Sequence, residues 1–177
     1  MPDSPNRRVF QIVIHAPVVA VWREITRTDA PIACFFNNRL HLGPGGLAPG
    51  TKLAMRSPDG KYTGVVGAIL EFDPPRRFSH TFRFTNLSDP ECKVTYELKP
   101  VAGGGDGTEF TLIIDELPAG TKTAKQMIQG GTMICNTLKA VMETGRPSLG
   151  IRILYRLFAA LGPITPKRCR SENWPLS

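Results

Sequence analysis

One alternating run of residues places a titratable side chain on an otherwise aromatic face. From Arg77 to Phe84, apolar and polar residues alternate as on a strand with one buried face. The apolar face consists of Phe78, His80, Phe82 and Phe84. A buried imidazole needs a hydrogen-bond partner. His80 therefore either anchors a ligand oxygen, acts as a general base, or is a core histidine bonded to Tyr96 or a backbone carbonyl.

The rest of the chain offers no recognisable catalytic or metal-binding set. The other titratable groups expected on inward faces are Tyr96 and Cys135. The four cysteines form no C-x-x-C pair and the three histidines do not cluster, so no zinc site is predicted. No G-x-S-x-G, H-E-x-x-H or phosphate-binding glycine motif occurs. We predict no catalytic residues, no metal and no cofactor; the sequence leaves enzymatic activity open but favours a binding role.

Antiparallel strands should position His80 and its neighbours. Strand patterns cover 9–14, 51–56, 62–72, 77–84, 93–99 and 108–115, with a glycine-rich hairpin tip at 103–107. Most of these strands have one apolar and one polar face, which describes a single antiparallel sheet covered on one side. Gly64 and Gly67 predict a bend or bulge that curves the sheet.

Helical patterns follow the first and the last of these strands. Two short helices are predicted at 17–26 and 29–36, after which His41 falls in a loop. A long amphipathic helix is predicted from Thr121 to Thr144, ended by Gly145. Its internal Gly130-Gly131 pair costs roughly 1 kcal/mol per residue relative to alanine and so indicates close packing or a kink. A helix across a curved sheet leaves room for a cavity.

A further amphipathic helix is predicted after the domain is complete, at 149–161. Its apolar stripe consists of Ile153, Leu154, Leu157, Phe158 and Leu161. Of the net charge of +7, +5 lies after Gly145, from six basic residues and Glu172. This helix is too short to span a bilayer, so we expect Leu149–Leu161 to contact the domain itself, a second copy in a homodimer, or a membrane surface. Nucleic acid is not an expected partner, and the absence of a signal peptide predicts a cytoplasmic protein.

The order of these elements resembles the helix-grip fold of the START-like (SRPBCC) superfamily. More closely, it resembles the family named for an activator of the heat-shock ATPase. Ile14-His15-Ala16-Pro17 with Val21-Trp22 resembles the family's junction of first strand and helix. Phe72–Phe78 resembles the turn before its fourth strand, and 131–145 resembles its closing helix. Thr132 departs from the tryptophan that is frequent in the family, and the chain continues past the family's usual end, where it could cover the pocket.

The resemblance implies an α+β fold with a curved antiparallel sheet of about six or seven strands around a long C-terminal helix. Two short helices follow the first strand, and an extra amphipathic helix follows the long one. We predict a flexible N-terminus at 1–8, a helix-grip domain at 9–145 and a basic C-terminal extension at 146–177. Members of the superfamily bind lipids, sterols or polyketides, some cyclise polyketides, and the founding family binds a chaperone. The family has no shared catalytic residues to transfer.

We therefore expect a small hydrophobic ligand, such as a lipid, polyketide or aromatic metabolite, in a cavity of several hundred Å³ between long helix and sheet. The expected ligand contacts are His80, Phe82, Phe84, Tyr96, Phe110, Leu112, Met127 and Ile134. Two alternatives remain open. One is a co-chaperone-like protein-interaction module, and the other is a polyketide cyclase- or aromatase-like enzyme with His80 as its base.

Overall fold

Within residues 6–103 and 105–177, which the computed structural model describes, seven strands form one antiparallel sheet around a long helix. The strands are β1 (Arg8–Ile14), β2 (Arg39–Leu42), β3 (Lys52–Arg56), β4 (Thr63–Asp73), β5 (Arg77–Phe84), β6 (Cys92–Pro100) and β7 (Thr108–Asp115). Their order across the sheet is β1-β7-β6-β5-β4-β3-β2. The α+β helix-grip fold predicted from the sequence is confirmed.

The helices are α1 (Val18–Thr26), α2 (Lys122–Thr144) and α3 (Leu149–Ala160). The Thr121 hydroxyl caps α2 by accepting a hydrogen bond of 3.1 Å from the Ala124 amide. The helix ends at Gly145, whose φ of 76° is the left-handed conformation that glycine adopts most easily. Short 3₁₀ turns are present at Ala33–Phe35, Gly162–Ile164, Lys167–Cys169 and Ser171–Asn173.

The core lies between the sheet and α2, which packs on β1, β7 and the Ala33–Phe35 turn. The buried face of α2 includes Met127, Gly130, Gly131, Cys135 and Leu138. From the sheet, the alternating inward residues Phe78, Val94, Tyr96, Leu98, Phe110, Leu112 and Ile114 are buried against it. The period-two pattern therefore assigned these strand faces correctly.

Two local predictions were wrong. The second short helix, expected at 29–36, is only the turn Ala33–Phe35, because Phe36 adopts the left-handed conformation at φ 56° and ends it. His41 does not lie in a loop: it belongs to β2, an edge strand of four residues that pairs with β3. Strand β2 has only four residues, of which only Leu40 is buried, so it is too short to give a recognisable alternation.

Two sequence predictions fall partly outside the described residues. The flexible N-terminus predicted at 1–8 includes residues 1–5, which lie outside them, whereas Arg8 already begins β1. The predicted hairpin tip at 103–107 includes Gly104, which also lies outside them.

The bulge predicted from Gly64 and Gly67 is present in β4 at Gly64, where the register between β3 and β4 shifts opposite Met55 and Arg56. The register between β4 and β5 shifts between Ile69 and Glu71. An ideal β-carbon on Gly67 would lie 1.9 Å from the Thr81 carbonyl oxygen and 2.8 Å from its carbon. Glycine is therefore required here because backbone of the neighbouring strand occupies the space of a side chain.

We expect Gly67→Ala to lower the free energy of unfolding by about 3 kcal/mol, because the methyl group must displace backbone of β5. Gly64→Ala is the matched control on the same strand, since its β-carbon would meet only the Met55 carbonyl oxygen, at 3.9 Å. The control should change stability by less than about 0.5 kcal/mol. Urea denaturation followed by circular dichroism measures both, and equal losses would contradict the role given to Gly67.

Candidate ligand cavity

A central cavity of about 610 Å³ lies between α2, the sheet and the C-terminal extension, and part of its rim is open. The sheet contributes Met55, Val65, Phe82, Phe84, Val94, Tyr96, Leu112 and Ile114. Helix α2 contributes Gln126, Met127, Gln129, Gly130, Gly131, Met133 and Ile134. Of the residues the structure describes, no lysine, arginine, histidine, aspartate or glutamate lines the cavity. The lining also includes the polar residues Asn38, Ser57, Thr63 and Thr85, so the site is a mostly apolar chamber without a charged group in its described wall.

The structure brings six of the eight predicted contacts together on the cavity wall. These six are Phe82, Phe84, Tyr96, Leu112, Met127 and Ile134. The other two lie behind the wall. Phe110 is fully buried, with its ring centroid 6.2 Å from that of Tyr96, and His80 is fully buried among Phe78, Phe82 and Tyr96.

His80 is bonded within the core and does not face the cavity. Its Nδ1 lies 2.7 Å from the Thr81 carbonyl oxygen, so Nδ1 carries the proton and donates it. Its Nε2 is buried without a partner among the described residues. Burial lowers the pKa of His80 to about 4, although the bond to the Thr81 carbonyl opposes this shift. The side chain is therefore uncharged at neutral pH and has the core role that the sequence left as one alternative.

The depressed pKa of His80 predicts a specific acid sensitivity. The unfolded chain, with a histidine pKa of 6.5, binds a proton that the native state excludes until about pH 4. Neutral His80 thus stabilises the native state fully above pH 6.5. This stabilisation is lost as pH falls toward 4, and the free energy of unfolding decreases by about 3 kcal/mol in total. His80→Asn keeps a donor near the Thr81 carbonyl but cannot titrate, so it should remove this part of the pH dependence. Denaturation curves between pH 7 and 4 would measure it.

The exposed His15→Asn serves as the control for that experiment, since it leaves His80 in place and should retain the part of the pH dependence that His80 contributes. A His80→Asn protein whose stability falls with pH as steeply as the wild type would show that the imidazole is protonated without cost in the native state.

Tyr96 is the polar group at the inner wall. Its side chain is only 1% exposed, and the rings of Phe35 and Phe78 hold it at centroid distances of 5.4 and 5.8 Å. None of the hydrogen bonds among the described residues involves its hydroxyl. Burial raises the pKa of Tyr96 well above its usual value, so the phenol stays neutral. It can donate one hydrogen bond to an oxygen in the cavity and accept another.

The rim of the cavity combines exposed amides with the C-terminal extension. The exposed amide side chains are Asn86, Gln126 and Gln129. The extension contributes Phe158, Thr165, Pro166 and Cys169. These last four residues were missing from the predicted site. The sequence showed only that the chain continues past the closing helix and could cover the pocket, because contacts between distant segments leave no local pattern.

Hydrogen bonds attach the extension to the sheet at several points. Arg170 forms a β-bridge with Tyr62, and the Ser171 amide donates to the Lys61 carbonyl at 2.9 Å. Farther on, Arg56 donates to the Trp174 carbonyl at 2.9 Å, and the Arg83 guanidinium lies 5.3 Å from the centroid of the Trp174 ring. The extension is thus a part of the cavity wall that is fixed by backbone and side-chain contacts.

The fold and the site define a helix-grip protein with an internal apolar cavity. The sequence profile of the family described as Activator of Hsp90 ATPase homolog 1-like protein matches residues 3–143. The chain belongs to this family, as its sequence resemblance predicted. No curated protein matches the chain significantly.

Solved structures with the same fold come from several settings, and at these identities each shows the fold alone. DynU16, from the dynemicin biosynthetic locus, is 20% identical with a TM-score of 0.61, over 82% of this chain and 49% of that chain. An HSP90 activator from Plasmodium falciparum is 16% identical with a TM-score of 0.57, over 80% and 98%. The Aha1 dimer from Colwellia psychrerythraea is 14% identical with a TM-score of 0.60, over 78% and 97%.

Proposed function

We propose that the protein binds a small, uncharged hydrophobic molecule in the central cavity. The observation that carries the proposal is a chamber of about 610 Å³ whose wall, in the described residues, is mostly apolar and without charged side chains. This volume lies within the range of about 300–1,000 Å³ that ligand pockets occupy. An ionised ligand group there would lose hydration without gaining a partner of opposite charge, at a cost of several kcal/mol.

Tyr96 supports a ligand that carries at least one oxygen. Its neutral hydroxyl borders the cavity and is bonded to none of the described residues, so a carbonyl or hydroxyl group can take its hydrogen bond. Lipids, polyketides and aromatic metabolites all combine apolar surface with such oxygens. His80, which the sequence favoured as the anchor, lies outside the wall, and Tyr96 takes this place in the proposal.

Filling the cavity should abolish binding. Val65 lines the chamber from β4, so Val65→Phe should weaken binding of the neutral fluorophore N-phenyl-1-naphthylamine at least about tenfold by occupying its space. Val13→Phe is the matched control, since it makes the same change at an exposed site on β1. Fluorescence titration measures the affinity, and native mass spectrometry of the purified protein looks for a bound natural molecule. Unchanged affinity in Val65→Phe, or none in the wild type, would reject the proposal.

Removing the Tyr96 hydroxyl should weaken the binding of ligands that hydrogen bond to it and leave other ligands unaffected. Tyr96→Phe should weaken ligands that carry a carbonyl or hydroxyl by roughly fivefold, because one net hydrogen bond contributes about 1 kcal/mol. A hydrocarbon fluorophore such as diphenylhexatriene, which has no hydrogen-bonding group, should bind both proteins equally. Competition of a natural extract fraction against the fluorophore measures the difference, and equal loss for both kinds of ligand would indicate a packing role for the hydroxyl.

A protein-interaction role is the second candidate. It is favoured by two solved structures of this fold, one named as an HSP90 activator and one as a dimer. Sedimentation equilibrium distinguishes a homodimer from a monomer that binds only ligand. A cyclase-like reaction has less support, because the titratable residues of the described cavity wall are Tyr62, Tyr96 and Cys169, and none of them is a carboxylate, an imidazole or an amine.

A further inference from the structure

Helix α3 has an inner face fixed to the domain and an outer face with no described partner. On the inner face, the Tyr155 hydroxyl donates to the Ala33 carbonyl, and Phe158 lines the cavity rim. On the outer face, large apolar side chains recur every fourth residue and are 44–68% exposed. They are Leu149, Ile153, Leu157 and Leu161, which we call the outer stripe. Just beyond the helix, Ile164 is 76% exposed.

Only basic charge accompanies the outer stripe. Arg146, Arg152 and Arg156 are exposed, and no ion pair of the described residues involves them. Arg152 and Arg156 are spaced three residues from Leu149 and Ile153, so they lie beside the stripe on the helix surface. No aspartate or glutamate occurs between Arg146 and Arg170. The surface is therefore apolar with a positive border.

Charge complementarity favours an anionic membrane over a second copy of the chain as the partner of this surface. A second copy related by a two-fold axis would place the same patch against itself, which brings arginine to arginine without an acidic residue of the same helix to pair with. An anionic lipid surface accommodates both properties, since acyl chains receive the apolar stripe and phosphate groups receive the arginines. No helix of the described residues is long and apolar enough to cross a bilayer, so the contact would be parallel to the membrane.

We propose that α3 and Ile164 dock on the surface of an anionic lipid membrane. The outer stripe enters the boundary between headgroups and acyl chains, while Arg146, Arg152 and Arg156 contact the lipid phosphates. Docking itself does not depend on the cavity's contents. One consequence rests on the proposed function: because Phe158 of the same helix lines the rim, docking brings the cavity opening near the bilayer, from which an uncharged hydrophobic ligand can enter.

Sedimentation with lipid vesicles tests the docking. The full chain should bind vesicles that contain about one third phosphatidylglycerol, should not bind pure phosphatidylcholine, and should be released by high salt. Arg152→Gln and Arg156→Gln should each lower the partition coefficient about fivefold. Ile153→Asp with Leu157→Asp should abolish binding, whereas Val19→Asp, at an exposed apolar residue on α1, should leave it intact. Circular dichroism verifies that each variant is folded.

Three results would overturn the proposal. The first is no binding to anionic vesicles, and the second is equal binding to neutral ones. The third is that the protein does not bind vesicles but forms a dimer, which Leu157→Asp dissociates. This last result would assign the outer stripe to a second copy. Vesicle binding is measured without ligand, and fluorophore binding is measured without vesicles. Failure of one therefore leaves the other unaffected.

Discussion

The approach of α2 to one edge of the sheet determines the interior of this protein. An ideal β-carbon on Gly131 would lie 2.3 Å from Cε2 of Phe10, so a larger residue would require the Phe10 ring or the helix to shift. With this contact made, α2 packs on β1 and β7. The remaining strands curve away from the helix, and Met127 and Ile134 face them across the cavity. The cavity is thus the space left when one helix contacts one edge of a curved sheet.

Two buried polar side chains of neighbouring strands have different chemistry because of their backbone surroundings. His80 finds a carbonyl acceptor in Thr81, on the stretch of β5 whose close approach requires Gly67 in β4. Tyr96 has no such acceptor among the described residues, and its hydroxyl borders the cavity. The Nδ1 of His80 is therefore hydrogen-bonded within the core, while the Tyr96 hydroxyl borders the cavity. Their rings lie 5.9 Å apart between centroids and are tilted by 37°, so the difference is one of local backbone rather than of depth.

Periodicity predicted the faces of the strands but not the extent of the cavity. The bounds of β5 and β7 agree with their patterns, and the inward residues are the apolar ones. Alternation shows that a side chain points inward, but it does not show whether that side chain contacts the helix, another ring or the cavity. For this reason the sequence predicted His80 as a ligand contact, although it lies behind the cavity wall. The four-residue strand β2 lacks enough repeats to be recognised, and the contact of Arg168 with Leu87 spans 81 residues without any local signal.

The position of the extension limits what the relatives can indicate about the ligand. The family profile ends at residue 143, yet Phe158, Thr165, Pro166 and Cys169 complete the wall from beyond that point. The shape of an apolar pocket, more than any motif, decides which molecule fits. Part of the wall therefore comes from a segment that the family profile does not cover. Because the same segment carries most of the positive charge, the proposed ligand binding and the proposed membrane docking both depend on the C-terminal extension.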